Sequence, residues 1–271
     1  MEQHLIDQPS FARLKRLVYD LAGIDIKPGK EALVSGRLQK RMRELGITSF
    51  KAYIDRIAAE PEGDEVVLLL DAISTNVTSF FREAEHFDLL RTETARWLAE
   101  GRTRLRVWCA ASSSGEEPYT IAMTMMEVIG NRPVDLKILA TDISTRVLDM
   151  AKRGAYAATA VKNVPAPMRE RWFVPEQGGQ LVRVKDDLRR LITFNRLNLA
   201  KPPYPMSGPL DAVFCRNVMI YFDNEVRTRI IAEVRRLTRP GGLFCVGHAE
   251  SLSTLQGDLK SLQAAAYRIP G

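Results

Sequence analysis

The chain predicts an α/β fold: an open, mostly parallel sheet with helices on both faces, preceded by a small all-helical domain and carrying an inserted small β subdomain. Three observations carry this prediction. From about residue 104 onward, short apolar strand-like runs alternate with helical stretches. Before about residue 75, apolar residues recur only at helical spacing. Small and polar residues gather where the later strands run out, and the carboxyl edge of such a sheet is where ligands bind.

The bulk numbers are compatible with that reading. The chain has 271 residues, enough for one large α/β domain plus a small one. A hydrophobic share of 45% and a charged share of 27% are ordinary for a globular protein. No apolar run is long enough to cross a membrane, and Met1-Glu-Gln-His-Leu-Ile-Asp7 lacks the basic-then-apolar pattern of a signal peptide. A cytoplasmic location with no direct membrane insertion is the expectation. The net charge of +6 suits an acidic partner without choosing one.

Residues 1–75 read as about four helices. Phe11, Leu14, Leu17, Val18 and Leu21 share one helical face; Leu33, Leu38 and Met42 follow, then Phe50, Tyr53, Ile54 and Ile57. Gly23, Pro28-Gly29, Gly46 and Pro61-Glu-Gly63 punctuate them, Thr48-Ser49 offers a helix start, and Val66–Ile73 is the fourth candidate. Residues 76–103 read as a linker and junction. In the third part, 104–271, strands are expected at Leu105–Ala110, Leu136–Ala140, Ile192–Leu197, Ala212–Cys215 and Leu243–Val246, with a final one within Ala264–Ile269. Helices are expected at Pro118–Ile129, Thr145–Lys152 and Glu225–Leu237, the last stopped by Pro240-Gly241-Gly242. Two β runs around Gly178-Gly179 break the alternation and predict a hairpin inserted at about 168–190.

Several segments carry chemistry. Arg106–Tyr119 reads as strand, small-residue loop and helix start, and Leu139–Ser144 as a strand ending in Asp142. Small residues admit a ligand close to the backbone, and an acid on the next strand can take the two hydroxyls of a ribose. Asp142 or Ser144 could instead cap the following helix. Glu116 and Glu117 sit at a helix start, where acids complement the macrodipole. Acids there make a poor phosphate cradle, which points away from NAD and ATP and toward a cofactor with a cationic, phosphate-free end such as S-adenosylmethionine. Asn198-Leu199 can bracket an adenine, amide to the ring edge and apolar side chain to its face. Arg216, Asn217 and Tyr221 follow a strand end, and Thr75–Glu83 reads either as a capped helix start or as a polar rim holding Asn76, Thr78 and Arg82.

Other chemistries are poorly served. Cys109, Cys215 and Cys245 sit in apolar strand-like runs and read as buried, reduced thiols; a catalytic thiol would have only His4, His86 and His248 as partners. No Cys or His pair stands at metal-ligand spacing, and no metal is expected. Ser251 with His248 suggests a hydrolase, yet no G-x-S-x-G elbow exists. The chain lacks the basic, aromatic-rich strands of a nucleic-acid module, and no nucleic-acid partner is expected.

These motifs resemble one known family. Thr75–Glu83, Val107–Met123, Ala140–Ser144, Asn198-Leu199, Phe214–Phe222 and Leu237–Leu252 are similar, in order and spacing, to the bacterial chemotaxis receptor methyltransferases, the CheR family. Many members read Gly-Cys-Ser-Thr-Gly where this chain has Ala111-Ser-Ser-Ser-Gly115. The resemblance implies a Rossmann-like methyltransferase sheet and a protein-glutamate O-methyltransferase that uses S-adenosylmethionine and releases S-adenosylhomocysteine. It implies cofactor contacts from Asn76, Thr78, Arg82, Ala111, Glu117, Asp142, Asn198, Leu199, Arg216 and Asn217, with Tyr221 near the transferred methyl. Tyr221 and Arg82 are the candidates for orienting the incoming carboxylate. The implied partner is the cytoplasmic region of chemoreceptors, met by a monomer.

A docking face is also expected. Between residues 27 and 56, eight cations stand against three anions, a net +5. Arg37, Lys40 and Arg41 share one helical face there, either as a solvated surface or as a contact for a glutamate-rich receptor helix.

Overall fold

The structure, a computed structural model, describes residues 5–61, 63–74, 77–250, 252 and 255–271. His4, Asn76 and Ser251 lie outside the described residues.

Helices α1 (Gln8–Ala22), α2 (Glu31–Glu44), α3 (Phe50–Ala59) and α4 (Asp64–Ile73) form the N-terminal part. Asp7 caps α1 by accepting from the Ser10 N–H at 2.8 Å, and Ser49 caps α3 by accepting from the Ala52 N–H at 3.1 Å. The junction between 76 and 103 is no bare linker. It carries α5 (Glu85–Ala99), whose buried Phe87, Leu90 and Trp97 pack in one core with Ile121, Ala122 and Met125 of α6 (Glu116–Ile129).

Strand β1 (Arg104–Cys109) precedes α6; β2 (Asp135–Asp142) and α7 (Thr145–Arg153) follow. Next come β3 (Ala155–Ala157), α8 (Ala166–Trp172), β4 (Phe173–Glu176), β5 (Leu181–Val184) and the short α9 (Asp186–Arg189). The chain then returns with β6 (Ile192–Arg196), β7 (Leu210–Cys215), α10 (Asn224–Leu237), β8 (Thr238–Val246), β9 (Lys260–Gln263) and β10 (Ala266–Arg268).

The main sheet has seven strands in the order β6-β2-β1-β7-β8-β10-β9. The first five run parallel, and β10 is antiparallel to both neighbours, β8 and β9. Cys109 stands level with Ala140 on one side and Phe214 on the other, so the three central strands end at one edge. Alternation along the central strands divides the core. Trp108, Val213 and Phe244 join the packing of α1–α4 and α10, while Val107, Cys109, Phe214 and Cys245 join that of α5 and α6. Every residue of β7 is buried, as a central parallel strand covered on both faces requires.

The expected hairpin is present as β4 and β5, and it is larger than expected. β5 also pairs with β3, giving a three-stranded antiparallel sheet in the order β3-β5-β4. The three residues of β3 are too few to show a period in the sequence. β9 was likewise not anticipated; its short Lys260–Gln263 run is half exposed at the sheet edge.

Candidate active site

The strand order reverses at β1, with β2 and β6 on one side and β7 and β8 on the other. That switch point opens a crevice at the carboxyl ends of the strands. Here the crevice is open to solvent. Thr78, Arg82, Ala111, Glu117, Asp142, Asn198, Leu199, Arg216, Asn217 and Tyr221 all line it. They come from five separate stretches of chain. Asn76, also expected there, lies outside the described residues.

The loop after β1 is fixed by its neighbours. The Trp108 indole N–H donates to the Thr141 hydroxyl at 2.9 Å, and that hydroxyl donates to the Ala110 carbonyl at 3.0 Å. The Ser112 N–H donates to the Thr141 carbonyl at 2.8 Å, and the Ser113 N–H to Asp142 Oδ2 at 2.9 Å. At Gly115 the loop turns with φ of 101°, and a Cβ there would stand 2.8 Å from both Ala151 Cβ and the Tyr156 hydroxyl. Only glycine suits that position. Tyr156, from the small sheet, donates to the Ser114 carbonyl at 2.8 Å.

Asp142 uses Oδ1 to accept from the Ser144 N–H at 3.0 Å, while Ser144 caps α7. Two loop amides thus occupy part of a carboxylate that has about four acceptor directions, leaving capacity toward the crevice. Burial pushes the Asp142 carboxyl up from its ordinary range, against the pull of those two amides.

Arg216 lines the crevice and is also engaged within the protein. Its side chain is wholly buried between two carboxylates, donating to Glu117 Oε2 at 2.7 Å and Glu83 Oε2 at 2.9 Å. It lies over the Phe87 ring as well, 5.4 Å from the centroid. Arg216 therefore fixes the position of Glu117, a second residue of the crevice lining. Burial raises the Glu117 carboxyl and Arg216 opposes that rise. Asn198 is similarly engaged: its Nδ2 donates to the Leu21 carbonyl at 2.8 Å and its Oδ1 accepts from the Ala200 N–H at 3.0 Å. The side-chain amide thus ties α1 to the loop after β6, while Asn198 still lines the crevice. Ile143 and Leu197, missed in the sequence, supply apolar lining beside Leu199.

The loop after β7 is held by a residue that sequence reasoning overlooked. Glu250 is buried and accepts from the Asn217 N–H at 2.7 Å, the Gly247 N–H at 2.6 Å and the Ile220 N–H at 3.1 Å. Asn217 takes a left-handed conformation, φ 57°, which asparagine tolerates. A Cβ at Gly247 would fall 2.4 Å from Asn217 Nδ2 and 2.8 Å from Glu250 Oε2. A glycine three residues before an acid at a strand end was the available signal.

The helical part also builds the wall. Ala22 and Ile24 line the crevice, Ile24 bridges Phe222, and the Asp25 N–H donates to the Tyr221 carbonyl at 2.8 Å. Residues 77–83 form no capped helix start. Phe81 and Glu83 have positive φ, α5 begins only at Glu85 with no side-chain cap, and Thr78 and Arg82 rim the crevice. Arg82 donates to the Val77 carbonyl at 2.7 Å.

On α2, Lys40 is exposed, but Arg37 donates to the carbonyls of Ala72, Ile73 and Ser74 at the end of α4. Arg41 grips Glu65 through Nε and Nη2, and Tyr53 donates to the same carboxylate at 2.8 Å. Two of the three expected docking cations thus brace the helical domain. All three cysteines are buried and free, and burial pushes the Cys109 thiol well up, so it does not serve as a thiolate.

The crevice suits a ligand with a sugar and a cationic end. The Ser112 and Ser113 hydroxyls are buried without a hydrogen-bond partner among the described residues, and Ser113 lines the crevice beside Asp142. The carboxylates of Asp142 and Glu117 flank the loop.

Residues 76–268 match the family model described as CheR methyltransferase, SAM binding domain, and residues 9–74 the one described as CheR methyltransferase, all-alpha domain. The chain is 40% identical over 259 residues to chemotaxis protein methyltransferase 2 of Pseudomonas aeruginosa, spanning 95% of this chain and 91% of that protein. It is 39% identical over 259 residues to the chemotaxis protein methyltransferase of Escherichia coli, spanning 94% and 88%. The Salmonella typhimurium chemotaxis protein methyltransferase is 38% identical over 260 residues, spanning 94% and 88%.

Proposed function

Because this chain belongs to the CheR chemotaxis protein methyltransferase family, we propose that it transfers methyl groups from S-adenosylmethionine to glutamate side chains of bacterial chemoreceptors. The products are glutamate methyl esters and S-adenosylhomocysteine. The observation that carries this reading is the pairing of Asp142 and Glu117 across a small-residue loop at the strand switch point. Asp142 accepts the ribose hydroxyls. Glu117, steadied by Arg216, faces the cationic amino-acid end. Leu199, Leu197 and Ile143 enclose the adenine, and Ala111 lets the ligand approach the backbone closely.

When bound, the donor supplies a methyl group already activated by a positive sulfur. The chain's own residues have a lighter task. A glutamate with a pKa of about 4.3 is ionised at neutral pH, so no general base is required. Tyr221 and Arg82, both in the crevice lining, orient the incoming carboxylate toward the methyl. The wall formed by Ala22, Ile24 and Phe222 limits water around it. Alignment of this kind is worth up to roughly 7–11 kcal/mol of barrier.

The acceptor approaches as a glutamate-rich receptor segment, with Lys40 the exposed cation of the α2 face. The protein acts as a monomer in the cytoplasm. No helix among the described residues is long and apolar enough to cross a membrane. Incubation with receptor-bearing membranes and methyl-labelled donor tests the reading. Label released by mild alkali supports it; alkali-stable label, or none, overturns it.

A further inference from the structure

Outside the crevice, Glu83, His86 and His248 converge, with one donor atom of each within 4.8 Å of the others. His86 is completely buried, and its Nε2 lies 3.3 Å from the Ala264 carbonyl. A carbonyl only accepts, so Nε2 carries the proton and Nδ1 presents a lone pair. That Nδ1 has no hydrogen-bond partner among the described residues and faces Glu83 Oε2 at 3.6 Å. Glu83 Oε2 already accepts from Arg216 at 2.9 Å and Oε1 from Asn217 Nδ2 at 3.3 Å, so the unsatisfied atom is the buried His86 Nδ1, whose lone pair a cation held by the same carboxylate would engage.

The spacing and the donor set agree on which cation. Ligand atoms on a tetrahedron with bonds of about 2.1 Å stand roughly 3.4 Å apart, close to the His86–Glu83 separation. The exposed His248 packs edge-on against His86, ring centroids 5.1 Å apart, and can close the remaining distance by side-chain rotation. The Ala264 carbonyl behind His86 is the outer partner that metal-bound imidazoles commonly have, and Glu85 Oε1, 3.5 Å from His248 Nε2, offers the second. We propose that Glu83, His86 and His248 bind a divalent transition metal ion of the zinc class, with a fourth position open to solvent. Two imidazoles and one carboxylate favour such an ion over magnesium or calcium.

The Arg216 guanidinium, bonded to the same Glu83 oxygen, repels the ion and keeps its affinity below that of a closed structural zinc site. Because Arg216 also holds Glu117, metal and methyl donor become linked through one side chain, and that linkage is reciprocal. The sequence hid this site. Glu83 and His86 are neighbours on the chain, but His248 comes from the far end of β8, beyond any spacing motif.

The test is titration of the chelator-treated full chain with cobalt(II), followed by its visible absorption, with zinc as competitor. The expected result is the intense visible band of four-coordinate cobalt, displaced by zinc, with paramagnetic shifts on the proton resonances of both imidazoles. His248→Ala, on an exposed side chain, is expected to weaken cobalt binding about ten-fold or more. His4→Ala is expected to leave it unchanged. No cobalt band, a band indifferent to His248→Ala, or shifts that spare His86 would each overturn the proposal and leave a structural His–carboxylate cluster only.

Discussion

The Asn198 amide donates to the Leu21 carbonyl at 2.8 Å across 177 residues of sequence, joining the end of α1 to the crevice-lining loop after β6. The helical domain is therefore part of the site as well as a neighbour to it. Replacing Asn198 with Ala strands the Leu21 carbonyl and the Ala200 N–H together. The expected cost is about 1–3 kcal/mol, seen as a lower unfolding midpoint in denaturant. Affinity for S-adenosylhomocysteine falls with it, since Ala22 and Ile24 line the crevice. An unshifted midpoint would show that the amide does not join the two parts.

Gly115 sets the loop that follows β1. Gly115→Ala must accommodate a φ of 101° and contacts of 2.8 Å with Ala151 and Tyr156. A loss of several degrees in thermal midpoint and weaker donor binding are expected, because the loop swings away from Asp142. A variant that melts and binds like the parent contradicts the assigned geometry.

Charge on α2 divides into two kinds. Arg41→Ala releases Glu65 and Tyr53 inside the helical domain and is expected to lower stability by about 1–2 kcal/mol. Lys40→Glu leaves the fold intact and slows receptor methylation at low salt, with the difference shrinking as salt rises. Steady-state rates at two ionic strengths check this; equal rates for Lys40→Glu and parent at low salt would remove α2 from the docking surface.

Tyr221 stands at the rim, and its backbone carbonyl already accepts from Asp25. Tyr221→Phe preserves that bond and removes only the hydroxyl. Methyl transfer is expected to fall about ten-fold or more while S-adenosylhomocysteine affinity changes less than about two-fold. A parallel loss of both would make Tyr221 a cofactor contact instead.

What the sequence revealed and what it hid follow from the range of the interactions. Strand alternation, the caps at Ser49 and Ser144, and Asp142 at a strand end are local, and each was legible in a few neighbouring residues. That Asp142, Asn198 and Asn217 share one edge was legible because strand ends in an open parallel sheet meet there, whereas Thr78 and Arg82 follow no strand and were open between a helix start and a polar rim. Glu250 was not, since its three amide partners include Asn217 and Ile220 from a different loop. The internal tasks of Arg216, Asn198 and Arg41 were hidden for the same reason. A polar side chain in a motif looks alike whether it faces a ligand or a distant backbone carbonyl.

The raised Asp142 carboxyl sets a pH dependence. Ribose hydroxyls donate to the ionised form, so binding favours loss of its proton. Burial lifts the free carboxyl above its ordinary 3.8, so affinity is full well above the lifted value and is lost as pH falls through it. Binding at pH values near the lifted value therefore releases protons. The most direct measurement is calorimetric titration of S-adenosylhomocysteine into the parent chain and Asp142→Asn across that range. The account predicts one site per chain, about ten-fold or more weaker in Asp142→Asn, with the parent's proton release reduced. Equal affinity and equal proton release in both proteins would contradict it.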